Sequence, residues 1–240
     1  MSNDLQSQRM VSSEIESFLA DGLERLALSL EKQAEALQRL ALYFQELKKW
    51  NSRINLVGRT LGDKQILENH FLDSLTLLHL LPAENQAQET VLDVGTGAGF
   101  PGLVLKTVCQ TLPVILLEPR RNRYYFLKHI IRTLALQGAE VLDVRLEEKT
   151  RAEQLAGRQF SFVTSRAFTD MYQFAILAAP YLAPGGRIVC MKGPGGVQEM
   201  DDFNHRARDN FYVAETKTLQ LPFSKAERML VIIRRAGQEP

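Results

Sequence analysis

Cysteine is nearly missing from this sequence. Cys109 and Cys190 are the only two in 240 residues. That is too few for a disulfide framework or a thiolate metal cluster, so a reducing compartment, the cytoplasm, is expected. No apolar run approaches the length needed to span a membrane. The first residues, Met1-Ser2-Asn3-Asp4-Leu5-Gln6, are polar and lack the apolar centre of a signal peptide. Neither sign of charge dominates, since 29 basic and 28 acidic residues leave a formal net charge of +1. Internal repeats and low-complexity stretches are also lacking. These absences argue against a disulfide scaffold and a membrane protein.

What remains is a globular composition. Hydrophobic residues make up 45% and charged residues 24%. The length suits one large domain, or one domain with an appendage. Charge is uneven along the chain. Residues 1–85 carry nine Lys/Arg and twelve Asp/Glu, a balance of −3, while residues 86–240 carry twenty and sixteen, a balance of +4. The second portion is therefore the one suited to an anionic partner, without demanding one.

The first portion reads as helical. Residues 1–10 are expected to be disordered. Ser13-Glu14-Ile15-Glu16 matches a capping box, and Ile15, Phe18, Leu19, Leu23 and Leu26 recur at helical spacing. A second helix places Leu37, Leu40, Ala41, Phe44 and Leu47 on one face and ends at Lys48-Lys49-Trp50-Asn51, with cations at the negative end of its dipole. A third helix is expected from roughly Asp63 to Leu81. Pro82 to Gln86 then serves as a linker between a helical unit, residues 1–85, and a second domain, residues 86–240. The helical unit is expected to cover one side of a sheet or to help hold a substrate.

From Val91 onward strands alternate with helices, which predicts an α/β fold with a mostly parallel sheet. The expected strands are Val91–Val94, Val114–Glu118, Glu140–Val144, Phe160–Ser165 and Arg187–Lys192, then two longer ones near 211–219 and 227–234. The last two are joined by Pro222-Phe223-Ser224, too short for a parallel crossover, so they pair antiparallel. Seven strands closed by an antiparallel C-terminal pair make a Rossmann-like methyltransferase fold.

The chemistry concentrates where the first strand ends. Val91-Leu92-Asp93-Val94 runs into Gly95-Thr96-Gly97-Ala98-Gly99-Phe100-Pro101-Gly102. Glycines there allow a sharp turn and let a ligand lie against bare main chain. The next strand ends in Glu118, whose carboxylate can accept from both hydroxyls of a ribose. This is the layout of a nucleoside-binding βαβ unit. Gly97 to Gly102 also matches G-x-G-x-x-G, but a dinucleotide reading fits poorly. Gly95-Thr96 intervenes after the strand, and Pro101 lacks a donor where a pyrophosphate wants one. The better register is Asp93-x-Gly95-x-Gly97-x-Gly99, with a negative charge expected at the mouth of the turn. That suits a cationic nucleoside such as S-adenosylmethionine. A bare strand–helix turn would leave Asp93, the glycines and Glu118 needing separate explanations.

Several motifs together resemble one family. Asn51-x-x-Ile54-Asn55-Leu56, His70-x-Leu72-Asp73-Ser74-Leu75, Asp93 to Gly102, Ser165-Arg166-Ala167 and Met191-Lys192-Gly193 occur in the order found in the RsmG family, also called glucose-inhibited division protein B. The resemblance implies a bacterial methyltransferase that uses S-adenosylmethionine to methylate N7 of one guanine in 16S rRNA of the small ribosomal subunit. It puts cofactor contacts at Gly95, Phe100, Leu146, Glu147 and Arg166, to which the residues themselves add Asp93, Gly97 and Glu118. The chain departs from the family after the second strand. Arg123 matches a Lys-Arg pair, whereas Asn122 stands at the lysine position. The expected partner is 16S rRNA or the small subunit, with a monomeric chain, no metal and no membrane. The alternative is a small-molecule methyltransferase with the same cofactor fold.

The residues agree with N7 chemistry by what they omit. N7 has an in-plane lone pair and no proton to lose, so the enzyme must align rather than deprotonate. The chain has no Asn/Asp-Pro-Pro-aromatic motif of amino-methylating enzymes after its fourth strand. Cys190 lies mid-strand between Val189 and Met191, a packing position rather than a nucleophile's loop. Arg166 is read as a contact to cofactor, guanine or phosphate, against an ion pair with an acid such as Glu147. Lys192 is read as a phosphate or guanine O6 contact, against a solvated strand end. Arg120, Arg121, Arg123, Lys128 and Arg132 are either a solvated face or a phosphate track. His70 and Asp73 make a poor metal site and are expected to tie the helical unit to the sheet.

Overall fold

The computed structural model describes residues 10–81, 83–147, 155–166, 170–207 and 210–237. The expected disorder of residues 1–10 falls, Met10 apart, outside them. Helix α1 (Ser12–Arg25) opens one residue before the expected box. Its reciprocating carboxylate is Glu14, which accepts from Val11 N at 2.9 Å, while Glu16 takes the Ser12 hydroxyl. Helix α2 (Gln33–Asn51) buries the expected stripe and Tyr43 with it. The third helical segment is continuous but changes its winding. An α turn (α3, Asp63–Ile66) passes into a π turn (Leu67–Leu72), a second α turn (α4, Asp73–Leu75) and a 3-10 stretch (Thr76–Leu80). Such π turns are frequent at functional sites.

The sheet has seven strands in the order β3-β2-β1-β4-β5-β7-β6. They are β1 (Val91–Val94), β2 (Val114–Leu117), β3 (Ala139–Leu142), β4 (Phe160–Ser165), β5 (Leu182–Lys192), β6 (Phe211–Gln220) and β7 (Glu227–Arg235). Pairs among β1 to β5 are parallel, and β7 runs antiparallel between β5 and β6. Strand β5 begins five residues before the expected Arg187. Phe160 pairs with Leu182, then the register shifts so that Phe162 meets Arg187. Helices α5 (Gly102–Val108), α6 (Arg121–Thr133), α7 (Met171–Ala178) and α8 (Gly196–Arg206) connect the strands.

Strand alternation splits the core into two layers. Val91, Leu116, Phe162, Val189 and Ile232 pack toward α5, α6 and the N-terminal helices, in one apolar cluster reaching from Ile15 to Ile232. Leu92, Leu117, Val163, Cys190 and Val231 pack toward α7 and α8. The N-terminal helices thus share their core with one face of the sheet. Two buried carboxylates hold them. Asp63 ties α3 to α2 through Lys48 at 2.6 Å, and Glu68 pins the segment to the sheet by accepting the Phe223 and Ser224 amides at 2.8 Å each, in the turn between β6 and β7. No helix of the described residues is long and apolar enough to cross a membrane.

Candidate active site

The turn after β1 is held by main-chain bonds and shaped by its glycines. Gly95 N and Thr96 N both donate to Leu117 O, at 3.0 and 3.1 Å, which pulls the chain across the end of β2. Gly95, Gly97 and Gly99 hold φ of +71°, +63° and +95°, the left-handed region that side chains disfavour. Gly99 also has no room. A Cβ there would lie 2.1 Å from the Tyr43 hydroxyl, which donates to Ala98 O at 2.5 Å. Gly95 is the reverse, with no atom within 4 Å of a built Cβ, and Gly97 meets only the Arg123 guanidinium at 3.6 Å.

Glu118 closes the turn. It is buried, and its two oxygens accept from Gly97 N at 2.9 Å and Arg120 N at 2.8 Å. A carboxylate has about four lone-pair sites, so both oxygens keep capacity for a ligand. Beside it, at the carboxyl ends of β1, β2 and β4, opens a cleft of about 360 Å³. Gly95, Glu118, Leu146 and Glu147 line it together, joined by Arg120 and Arg123. A bare-backbone turn, an acid at the strand end and the apolar Leu146 are what a nucleoside with a ribose would require, and the volume lies within the roughly 300–1,000 Å³ of ligand sites.

Asp93 does not stand at the mouth of the turn. It is fully buried on the other face of β1, where Oδ2 accepts from Thr96 Oγ1 at 2.5 Å and from Gly102 N at 2.8 Å, capping α5. Its Oδ1 is buried with no partner among the described residues. Burial pushes its pKa from 3.8 up to about 6, against the pull of those two bonds. The expectation failed because a side chain two residues before the turn points to the face opposite the strand's neighbours Leu92 and Val94.

Phe100 is buried behind the cleft as the floor of a polar network. The His70 ring stacks on it at 4.9 Å, and the Arg166 guanidinium lies over it at 5.1 Å. Arg166 leaves β4 next to the cleft-lining Ser165 but reaches to the helical segment. It donates to Asn69 O at 3.0 Å and His70 Nδ1 at 2.8 Å, and approaches Asp73 at 3.6 Å. Its acid partner is therefore Asp73, not Glu147, which faces Arg145 at 3.6 Å. Arg228, from β7, holds the other Asp73 oxygen at 2.9 Å. Burial raises the Asp73 pKa and lowers that of Arg166, each against opposing charges. Burial, then Arg166, lowers His70 to about 3. His70 is thus neutral with Nδ1 accepting, which puts its proton on Nε2.

Lys192 reaches neither the cleft nor open solvent. It is mostly buried and binds Glu199 on α8 at 2.6 Å, and the same carboxylate accepts from Met171 N. Cys109 and Cys190 are buried, with thiols pushed up to about 12. Among the described residues no group of three or more His, Cys, Asp or Glu is placed to hold a metal. Three participants were not foreseen from sequence. Tyr43 had a signal, as the i+3 neighbour of Leu40 on the buried stripe. Arg145 had a weak one, its place beside Leu146. Arg228 had none, since it meets Asp73 from 155 residues away.

The geometry has counterparts among known proteins. A family model described as GidB, rRNA small subunit methyltransferase G, matches residues 36–231. Ribosomal RNA small subunit methyltransferase G of Desulfotalea psychrophila is 39% identical over 217 residues, covering 90% of this chain and 96% of that one. Its namesake in Myxococcus xanthus is 35% identical over 224 residues, covering 93% and 98%. Among solved structures, a SAM-dependent methyltransferase from Aquifex aeolicus aligns with a TM-score of 0.52 at 16% identity, over 79% of this chain and 97% of that one. A predicted O-methyltransferase from Agrobacterium tumefaciens gives 0.53 at 21% identity, over 70% and 81%. The solved structures share the Rossmann-like methyltransferase fold, and the sequence match runs from the second helix into the last strand. On that match the chain belongs to the GidB family, the family of rRNA small subunit methyltransferase G.

Proposed function

We propose that this chain transfers a methyl group from S-adenosylmethionine to N7 of one guanine in 16S rRNA of the small ribosomal subunit, in the cytoplasm. One observation carries the reading: Gly95 at the head of the glycine turn, Glu118 and Leu146 converge on a cleft at the carboxyl edge of the parallel strands, in a chain of this family. Ligands of open α/β sheets enter at that edge. S-adenosylmethionine, when bound, supplies an electrophilic methyl group on a sulfonium centre. Gly95 leaves the main chain open to it, Gly97 holds Glu118 in place, and Glu118 has lone pairs for the ribose hydroxyls. Arg166 is held beside the cleft by Asn69, His70 and Asp73, rigid enough to orient a guanine or its phosphate. No residue needs to act as a base, because the attacking lone pair is already free; catalysis is by alignment. On this reading residues 86–240 hold the cofactor, and residues 1–85 brace Arg166. An uncharged small-molecule substrate, within the alternative reading, would give no role to the arginines that border the cleft, whereas rRNA brings phosphates to them.

Labelled methyl transfer to small-subunit rRNA, followed by mapping of the modified base, tests the reading. A single N7-methylguanine is expected, and absence of transfer to any rRNA would refute it. Gly95→Asp supplies a second test. Its side chain would enter open space rather than the core, and Asp tolerates positive φ better than most residues. Affinity for S-adenosylhomocysteine is expected to vanish with the circular dichroism spectrum unchanged. Retained affinity would contradict the assignment.

A further inference from the structure

Helix α6 exposes a stripe of one chemistry. Arg121, Tyr125, Lys128 and Arg132 follow i, i+4, i+7, i+11 spacing, which keeps them on one face, and all four are exposed. No Asp or Glu occurs from Pro119 to Ala139. Among the described residues none of the three cations has a carboxylate within ion-pairing distance. Other arginines at the surface do: Arg25 with Asp21 at 2.7 Å, Arg158 with Glu140 at 2.6 Å, and Arg206 with Asp170 at 2.8 Å. On α6 the cations rest on rings instead. Arg121 lies 5.6 Å over Tyr125, and Lys128 lies 5.5 Å over Tyr124.

The beginning of the stripe also opposes the helix's own electrostatics, whereas Arg132, in the last turn, sits at the favourable end. Arg120, Arg121 and Arg123 crowd the positive end of the dipole, and the first turn holds no acid. A face serving solubility alone would mix its charges and put acids there. The stripe starts at the cleft, because Arg120 and Arg123 line it on either side of Arg121. It then runs about 16 Å along the helix, at 1.5 Å per residue.

We propose that this face of α6 is the track along which the rRNA backbone flanking the target guanine approaches the cleft, with Arg121, Lys128 and Arg132 on phosphates and the exposed Tyr125 ring stacking on an unpaired base. The inference rests on the rRNA reading above. It assigns docking to residues that do not line the cleft, so the two can fail separately. Contacts between cations and phosphates release counterions and so weaken with salt in proportion to their number, whereas stacking itself adds nothing to that slope.

The test uses the triple variant Arg121→Ala/Lys128→Ala/Arg132→Ala, whose side chains are exposed and bear no core. Affinity for S-adenosylhomocysteine is expected to be unchanged. The KM for small-subunit rRNA is expected to rise at least tenfold at 150 mM salt, on the order of a phosphate-contact loss. The log–log salt slope of RNA affinity is expected to shrink by about 2–3, from roughly 0.7–0.9 per phosphate contact. Tyr125→Ala is expected to raise KM without changing the slope. Arg121→Lys/Arg132→Lys, which keeps the charges, is expected to retain the wild-type slope. A triple variant with wild-type KM and salt slope would overturn the track, as would a slope lost in the charge-keeping variant. Wild-type protein that methylates no rRNA would instead overturn the parent reading.

Discussion

Lowering the pH from 7.5 to 5 is expected to loosen the joint between Arg166 and the helical segment, through His70. The imidazole pKa is 6.5 in an unfolded chain and about 3 in the fold, because burial and then the Arg166 charge disfavour the imidazolium. Above pH 6.5 both states carry a neutral ring and nothing is lost. Below it the unfolded chain takes up a proton that the folded chain refuses, so stability falls as pH falls, down to about pH 3. Each pH step within that window is worth about 1.4 kcal/mol. Roughly 2 kcal/mol is gone by pH 5, and roughly 5 kcal/mol across the whole window, against a net stability of about 5–15 kcal/mol for ordinary domains. Urea unfolding of wild type and His70→Asn at pH 7.5, 6.5, 5.5 and 5.0 isolates the effect. The asparagine keeps an acceptor oxygen for Arg166 but does not titrate. Losing the ring stacked on Phe100 lowers its stability equally at every pH, so the slope carries the answer. Wild type is expected to lose about 2 kcal/mol more than the variant between pH 7 and 5. Parallel profiles would refute a His70 held neutral by burial.

Asp93 works in the opposite direction. Its folded pKa of about 6 exceeds the ordinary 3.8, so its contribution is full below pH 4 and is lost as pH rises through 6. Asp93→Asn is expected to recover up to about 3 kcal/mol at pH 7 relative to pH 4 in urea melts, and no relative gain would mean that the buried oxygen is satisfied. Gly99→Ala combines positive φ with a methyl 2.1 Å from the Tyr43 hydroxyl, a loss of about 3 kcal/mol or more by thermal melting. Adding Tyr43→Phe is expected to restore part of that loss, and strict additivity would show that the clash is not with the hydroxyl. Arg166→Ala leaves Asp73 with Arg228 alone and removes the cation that bridges the helical segment to the end of β4 beside the cleft. Methyl transfer is expected to fall at least a hundredfold, on the order of an unfilled positioning contact, and wild-type turnover would remove Arg166 from the site.

Much of this molecule is legible in its sequence because its signals are local. The buried strands announce themselves as apolar runs bounded by glycine and proline, and the short Pro222–Ser224 link forces β6 and β7 antiparallel. Glu118 is legible because one residue after a strand sits at the sheet's carboxyl edge whatever surrounds it. Failures occur where geometry depends on distant chain. Lys192 looks like a free strand end until α8 returns with Glu199, and Arg166 has no sequence mark that favours Asp73 over Glu147. The run Ala183-Pro184-Gly185-Gly186 reads as a turn by composition, yet belongs to β5 because a bulge against Phe160 absorbs it. The changing winding between Asp63 and Leu80 is equally hidden, since its periodicity stays close to that of an ordinary helix.

The Glu68 carboxylate has a consequence for how the chain is made. Its amide partners, Phe223 and Ser224, are synthesised 155 and 156 residues later, when all but the last strand has been translated. Until they emerge, seating Glu68 in the interior would bury an acid without donors. The opening helical segment thus gains its last hydrogen-bond donors only when the chain has reached Ser224, so the beginning of the fold is completed from near its end.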